Sequence, residues 1–135
     1  MGGENMGVTE MTKLYHLCTM FRERVMDVSA GGHCVWMDLP YSFSDGCRAI
    51  VKVVMMRDGM ILVSDAGRIA MHEPLTPEDV KMICRKASLK FIMDGEDDDP
   101  PLDCEMYKIT DQDGFCLAVW DIIHAIVLAH DCAME

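Results

Sequence analysis

The sequence predicts an α+β domain, a mostly antiparallel sheet with N-terminal, middle and C-terminal helices packed on it. Three observations carry this reading. Short strand-like runs are separated by Asp58-Gly59 and Asp65-Ala66-Gly67, turns that suit antiparallel neighbours. Helix spacing or helix-start chemistry occurs at 10–28, 76–86 and 115–131. The resulting order is helix, strands, helix, strands, helix.

Residues 1–8 are rich in glycine and lack a pattern, so a disordered N-terminus is expected there, with a single domain over 9–135. In 10–28, Met11, Leu14, Cys18, Phe21 and Val25 recur at helical spacing, Thr9 is the expected N-cap, and Gly31-Gly32 is the expected stop. Residues 33–39 predict a short strand, followed by a loop over 40–46. Arg48 to Met56 predicts the central strand, because both of its alternating faces are largely apolar. After the Asp58-Gly59 turn, residues 60–64 return as its partner, and 68–71 read as either a strand or the start of a helix.

Thr76-Pro77-Glu78-Asp79 starts the middle helix: Thr76 caps, Pro77 takes the first position, and the acids face the positive helix end. Leu89 to Met93 and Leu102 to Ile109 predict strands on either side of an acidic loop, and Asp111-Gln112-Asp113-Gly114 is the turn into the last helix. The apolar core of that helix, residues 115–129, falls short of the roughly 20 residues a bilayer needs. It is expected to be buried in the domain.

The segments just described also resemble a small family of uncharacterised bacterial and phage domains. The pattern is a leading helix, then Pro40-Tyr41, a strand, the Asp58-Gly59 hairpin, a strand ending in Ser64-Asp65-x-Gly67, and a final helix after a strand over 104–131. The resemblance implies mobile-element cargo and brings no established activity.

The 135 residues fit one domain. Acids outnumber bases by 23 to 12, giving a net charge of −11. That balance argues against direct nucleic-acid binding, which needs a basic footprint, and against docking on an anionic membrane. The start has no basic region followed by an apolar stretch, so a cytoplasmic location is expected, the host cytoplasm if the gene is phage-borne. The seven cysteines are widely spaced with no C-x-x-C pair, which reads as free, mostly buried thiols.

No complete catalytic motif is present, and no cofactor or metal site is expected. The acidic run Asp94, Glu96, Asp97, Asp98, Asp99 and Asp103 is the main candidate for function. Charge blocks are usually solvated loops, but this one also suits a groove lined with Lys and Arg. Trp36, Tyr41 and Phe43 lie around a proline-containing loop and either close the core or anchor a partner. The leading expectation is a protein-interaction domain that binds a basic, nucleic-acid-binding host protein and inhibits it, in the manner of an anti-defence or anti-CRISPR protein. The alternatives are a small metal-dependent hydrolase or nuclease using turn carboxylates such as Asp45, Asp58 and Asp65, and a homodimeric structural domain. In the nuclease reading Asp45 would work with Lys52, but Ile50 stands where a further acid is needed. On the last helix, Asp121 and His124 have the spacing to pair.

Overall fold

The computed structural model describes residues 27–31, 34–56, 58–94 and 103–134. Six strands form one sheet in the order β1-β2-β3-β4-β6-β5, and every neighbouring pair is antiparallel. The strands are β1 (Asp27–Gly31), β2 (Cys34–Ser42), β3 (Arg48–Met55), β4 (Ile61–Ser64), β5 (Lys90–Asp94) and β6 (Asp103–Thr110). Three helices accompany them: α1 (Arg68–His72), α2 (Pro77–Ala87) and α3 (Phe115–Met134). The α+β class is therefore as the sequence predicts, and β3 lies inside the sheet as its two apolar faces require.

Alternation along the strands creates the core. Val35, Met37 and Leu39 of β2, Ala49, Val51 and Val53 of β3, and Ile61 and Val63 of β4 are all buried. Cys104 and Met106 continue that face on β6. Ile83, Phe115, Val119, Ile122 and Ala129 from the helices are buried in the same core. Helix α3 touches β3, β4, β6 and α2, so it lies along the middle of the sheet. The second face of the sheet carries Trp36, Ile50, Lys52, Val54, Leu62 and Tyr107, all half-buried.

The middle helix starts as its sequence dictates. Thr76 Oγ1 accepts from Asp79 N–H at 3.1 Å, and Asp79 Oδ2 accepts from Thr76 N–H at 3.0 Å. This reciprocal pair satisfies two backbone donors that a helix end would leave open.

Several boundaries differ from expectation. Asp27 and Val28 belong to β1 rather than to the end of a helix, and Gly31 pairs with Cys34 at the hairpin instead of stopping a helix. The alternating Val28-Ser29-Ala30 segment gains a sheet ladder against Val35, Trp36 and Met37, which outweighs continued helix spacing. Strand β2 runs on through Pro40 to Ser42; the register shifts between Asp38 and Ser42, and such an irregularity is where a strand tolerates proline. Residues 68–71 are helical. The last helix extends to Met134, and its window Phe115–Cys132 is long and apolar enough to cross a membrane by length and composition. That corrects the expectation of too short a stretch, while the buried face of α3 bears out its role in the core. Residues 1–8 and residues 10–26 of the expected first helix lie outside the described residues.

Candidate functional site

One end of the domain brings together the β2–β3 loop, the end of α1 and the last turns of α3. The loop is a tight turn. Phe43 N–H donates to Cys47 O at 2.8 Å, and Gly46 N–H to Phe43 O at 2.9 Å, with Gly46 at φ +88° as glycine allows. Asp45 Oδ1 accepts from Cys47 N–H at 2.9 Å, so the turn sets the Asp45 and Cys47 side chains beside each other.

His72, at the end of α1, completes the group. Its Nδ1 lies 2.6 Å from Asp45 Oδ2, and its ring stacks on Phe43 with centroids 4.9 Å apart. The Cys47 N–H, then His72, hold the Asp45 carboxyl below its usual range. Asp45 is thus an ionised acceptor, which assigns the shared proton to His72 Nδ1. One ligand atom each from Asp45, Cys47 and His72 falls within a mutual distance of 4.8 Å. Loss of solvent, and then the Asp45 charge, push the Cys47 thiol up. A thiol so placed stays protonated at neutral pH and is a poor nucleophile until something withdraws its proton.

Glu73 stands behind this group. It is only 2 % exposed; its Oε2 accepts from Ser44 N–H at 3.2 Å, and its Oε1 is buried without a partner. Ser44 Oγ in turn lies 3.2 Å from His130 Nδ1 on α3.

A second polar centre, at the end of β4, has a structural explanation. Asp65 is 1 % exposed and accepts three backbone N–H groups: Met106 and Gly67 at 2.9 Å on Oδ1, and Ile69 at 3.2 Å on Oδ2. It ties β6 to the start of α1. Ser64 Oγ accepts from Ala66 N–H at 2.9 Å and donates to Glu105. Ser64-Asp65-x-Gly67 therefore works here as a turn lock. Burial pushes Asp65 up to about 6 against the pull of its three donors, with Glu105 adding to the rise.

Among the described residues, the expected partner-binding residues are not gathered in one patch. Phe43 is 3 % exposed and belongs to the core, which corrects its assignment as a surface anchor: its ring is occupied by His72 and by the apolar end of the sheet. Tyr41 packs against that same core, half-buried. Trp36 alternates with buried Val35 and Met37, so it sits on the opposite face of the sheet, where the Arg68 guanidinium lies 6.0 Å from its ring centre. Asp94 and Asp103 are register partners at the end of the β5–β6 ladder. Glu96, Asp97, Asp98 and Asp99 lie outside the described residues, in the segment joining those strands.

Two expected pairings are replaced. Asp121 bonds Lys108 on β6 at 2.6 Å rather than His124 one turn along, because a lysine on the sheet beneath α3 offers a charge. Asp45 pairs with His72, whereas Lys52 lies on the second sheet face opposite Trp36 and Ser64. The sequence reading did not select Cys47, His72 and Glu73 as a group. It also missed the exposed side of α3, where Leu117, Trp120 and Val127 are 63 %, 40 % and 44 % exposed. Their spacing of three and seven was the available signal; it was hidden because this helix is apolar on both sides.

Compared with known proteins, the chain matches no family model, no curated protein and no solved structure.

Proposed function

We propose that this chain is a protein-interaction domain that engages a basic, nucleic-acid-handling protein through the β5–β6 hairpin and blocks it. The observation that supports it most is the placement of Ile92. This side chain is 59 % exposed on β5, the edge strand of the sheet, two residues before the acidic run begins at Asp94. An exposed apolar side chain followed in sequence by a dense run of carboxylates suits a docking segment: apolar burial gives affinity, and charge steers the encounter. The net charge of −11 extends that steering over the whole domain. Small size, acidity and the resemblance to mobile-element cargo favour an inhibitor of the anti-defence kind, acting in the host cytoplasm.

The test is a pull-down from nuclease-treated bacterial lysate with three baits: wild type, Ile92→Ser, and a variant with Glu96→Gln, Asp97→Asn, Asp98→Asn and Asp99→Asn. The expected outcome is one basic nucleic-acid-binding protein on the wild type, released at high salt and lost or greatly reduced on both variants. Equal recovery on all three baits at low salt, where charge effects are strongest, would refute the assignment of this surface.

A further inference from the structure

We propose that Asp45, Cys47 and His72 form a zinc site, with three protein ligands and a fourth position open to water. This goes beyond the interaction reading and does not depend on it.

The donor set supports the ion. A carboxylate oxygen, a thiol sulfur and an imidazole nitrogen together suit a borderline cation, and zinc accepts all three. Their ligand atoms already lie within 4.8 Å of one another. In a tetrahedral site such atoms stand roughly 3.3–3.8 Å apart, given metal–ligand bonds of about 2.0–2.3 Å. Closing the cluster on an ion therefore needs small side-chain movements, including an opening of the 2.6 Å contact between Asp45 and His72. The supports are in place: the turn hydrogen bonds fix Asp45 and Cys47, and Phe43 stacks on the His72 ring. Asp45 and Cys47 are exposed, so an ion can enter from solvent and keep a water.

Glu73 borders the same loop. It follows His72 in sequence, its carboxylate lies against Ser44 next to Asp45, and its buried Oε1 has no donor.

The protons balance. His72 gives up the Nδ1 proton it shares with Asp45 and takes one on Nε2 through solvent, remaining neutral. The Cys47 thiol proton is released to solvent, and zinc holds the thiolate.

Cobalt(II) reports this directly, because a thiolate ligand gives a charge-transfer band in the near ultraviolet and tetrahedral geometry gives intense visible bands. The full chain, reduced, is titrated with cobalt and then with zinc. The proposal expects one equivalent of cobalt to produce both bands and zinc to remove them. Cys47→Ser should abolish the charge-transfer band, and Cys116→Ser, an exposed cysteine elsewhere, should keep it. His72→Asn should weaken cobalt binding at least tenfold. Zinc should raise the melting temperature of the wild type and leave that of Cys47→Ser unchanged; the metal-free melting temperature of Cys47→Ser shows that the variant folds. Absence of the bands in the wild type, or bands that persist in Cys47→Ser, overturns the proposal.

Discussion

Lys108 Nζ lies 2.6 Å from Asp121 Oδ2, joining strand β6 to helix α3 on the core side of the sheet. The two side chains are 30 % and 17 % exposed, so the pair is partly shielded from solvent. Such a pair is worth more than a surface ion pair, and removing one partner leaves the other half-buried and alone. Asp121→Asn should cost about 1 kcal/mol, and Lys108→Met less, because the methionine chain keeps the apolar packing of the lysine stem. A double-mutant cycle by urea denaturation should give a coupling of about 1 kcal/mol. A coupling of zero would show that the contact contributes nothing.

Gly67 and Gly59 both adopt positive φ, at +76° and +83°, yet they should differ in their tolerance of alanine. At Gly59 an added Cβ meets open space, whereas at Gly67 it lies 3.2 Å from the Cys104 carbonyl oxygen. Backbone strain alone costs about 1–2 kcal/mol at either position. Gly67→Ala should therefore destabilise more than Gly59→Ala when both are measured by thermal or chemical melting. Equal losses would mean that β6 yields freely at Cys104.

These turns were legible because their chemistry is local. Asp58-Gly59, Asp65-Ala66-Gly67 and Thr76-Pro77 each specify a backbone path within four residues, and the structure has a turn or helix start at each. The exchange of helix for strand at Asp27 was not legible, because helical spacing up to Val25 continues smoothly into a segment whose partner, Trp36 to Asp38, is set by tertiary pairing. Phe43 illustrates the same limit: a ring after a proline-containing strand can point outward or inward, and the core-directed course of β2 decided it. The Asp45–Cys47–His72 group depends on α1 ending beside the β2–β3 loop. That relationship spans 27 residues between Asp45 and His72 and leaves no spacing motif.

Asp45 should titrate below an ordinary carboxyl, chiefly through the Cys47 N–H and secondarily through His72. Its lowered value means that it stabilises the fold above the unfolded carboxyl range, near 3.8, and that this contribution is lost as pH falls through its folded value. Carbon NMR of the side-chain carboxyl checks the order of causes. His72→Ala should raise the Asp45 midpoint but leave it below normal, since the backbone donor remains. A return to the ordinary value in that variant would make the imidazole the main cause instead.

Asp65 should make the fold less stable as pH rises from about 4 to about 6. Its unfolded value is 3.8 and its folded value is pushed up to about 6 by burial. Between those values the folded state holds a proton that the unfolded chain has released, so raising the pH pulls toward unfolding. The stabilisation is complete below the unfolded value and is lost as pH passes the folded one. A shift of about two units corresponds to about 3 kcal/mol, a sizeable part of the 5–15 kcal/mol typical of a domain. The three donors from Met106, Gly67 and Ile69 keep the group in place in either protonation state. Asp65→Asn should flatten the pH dependence in this window, because the amide does not titrate. Asp65→Ala should be far more damaging at every pH, since it strands three backbone N–H groups at about 1–3 kcal/mol for each one left buried. Urea denaturation of the wild type and Asp65→Asn from pH 4 to pH 7 checks this, and a wild-type stability that rises across the window would show that the donors outweigh burial at Asp65.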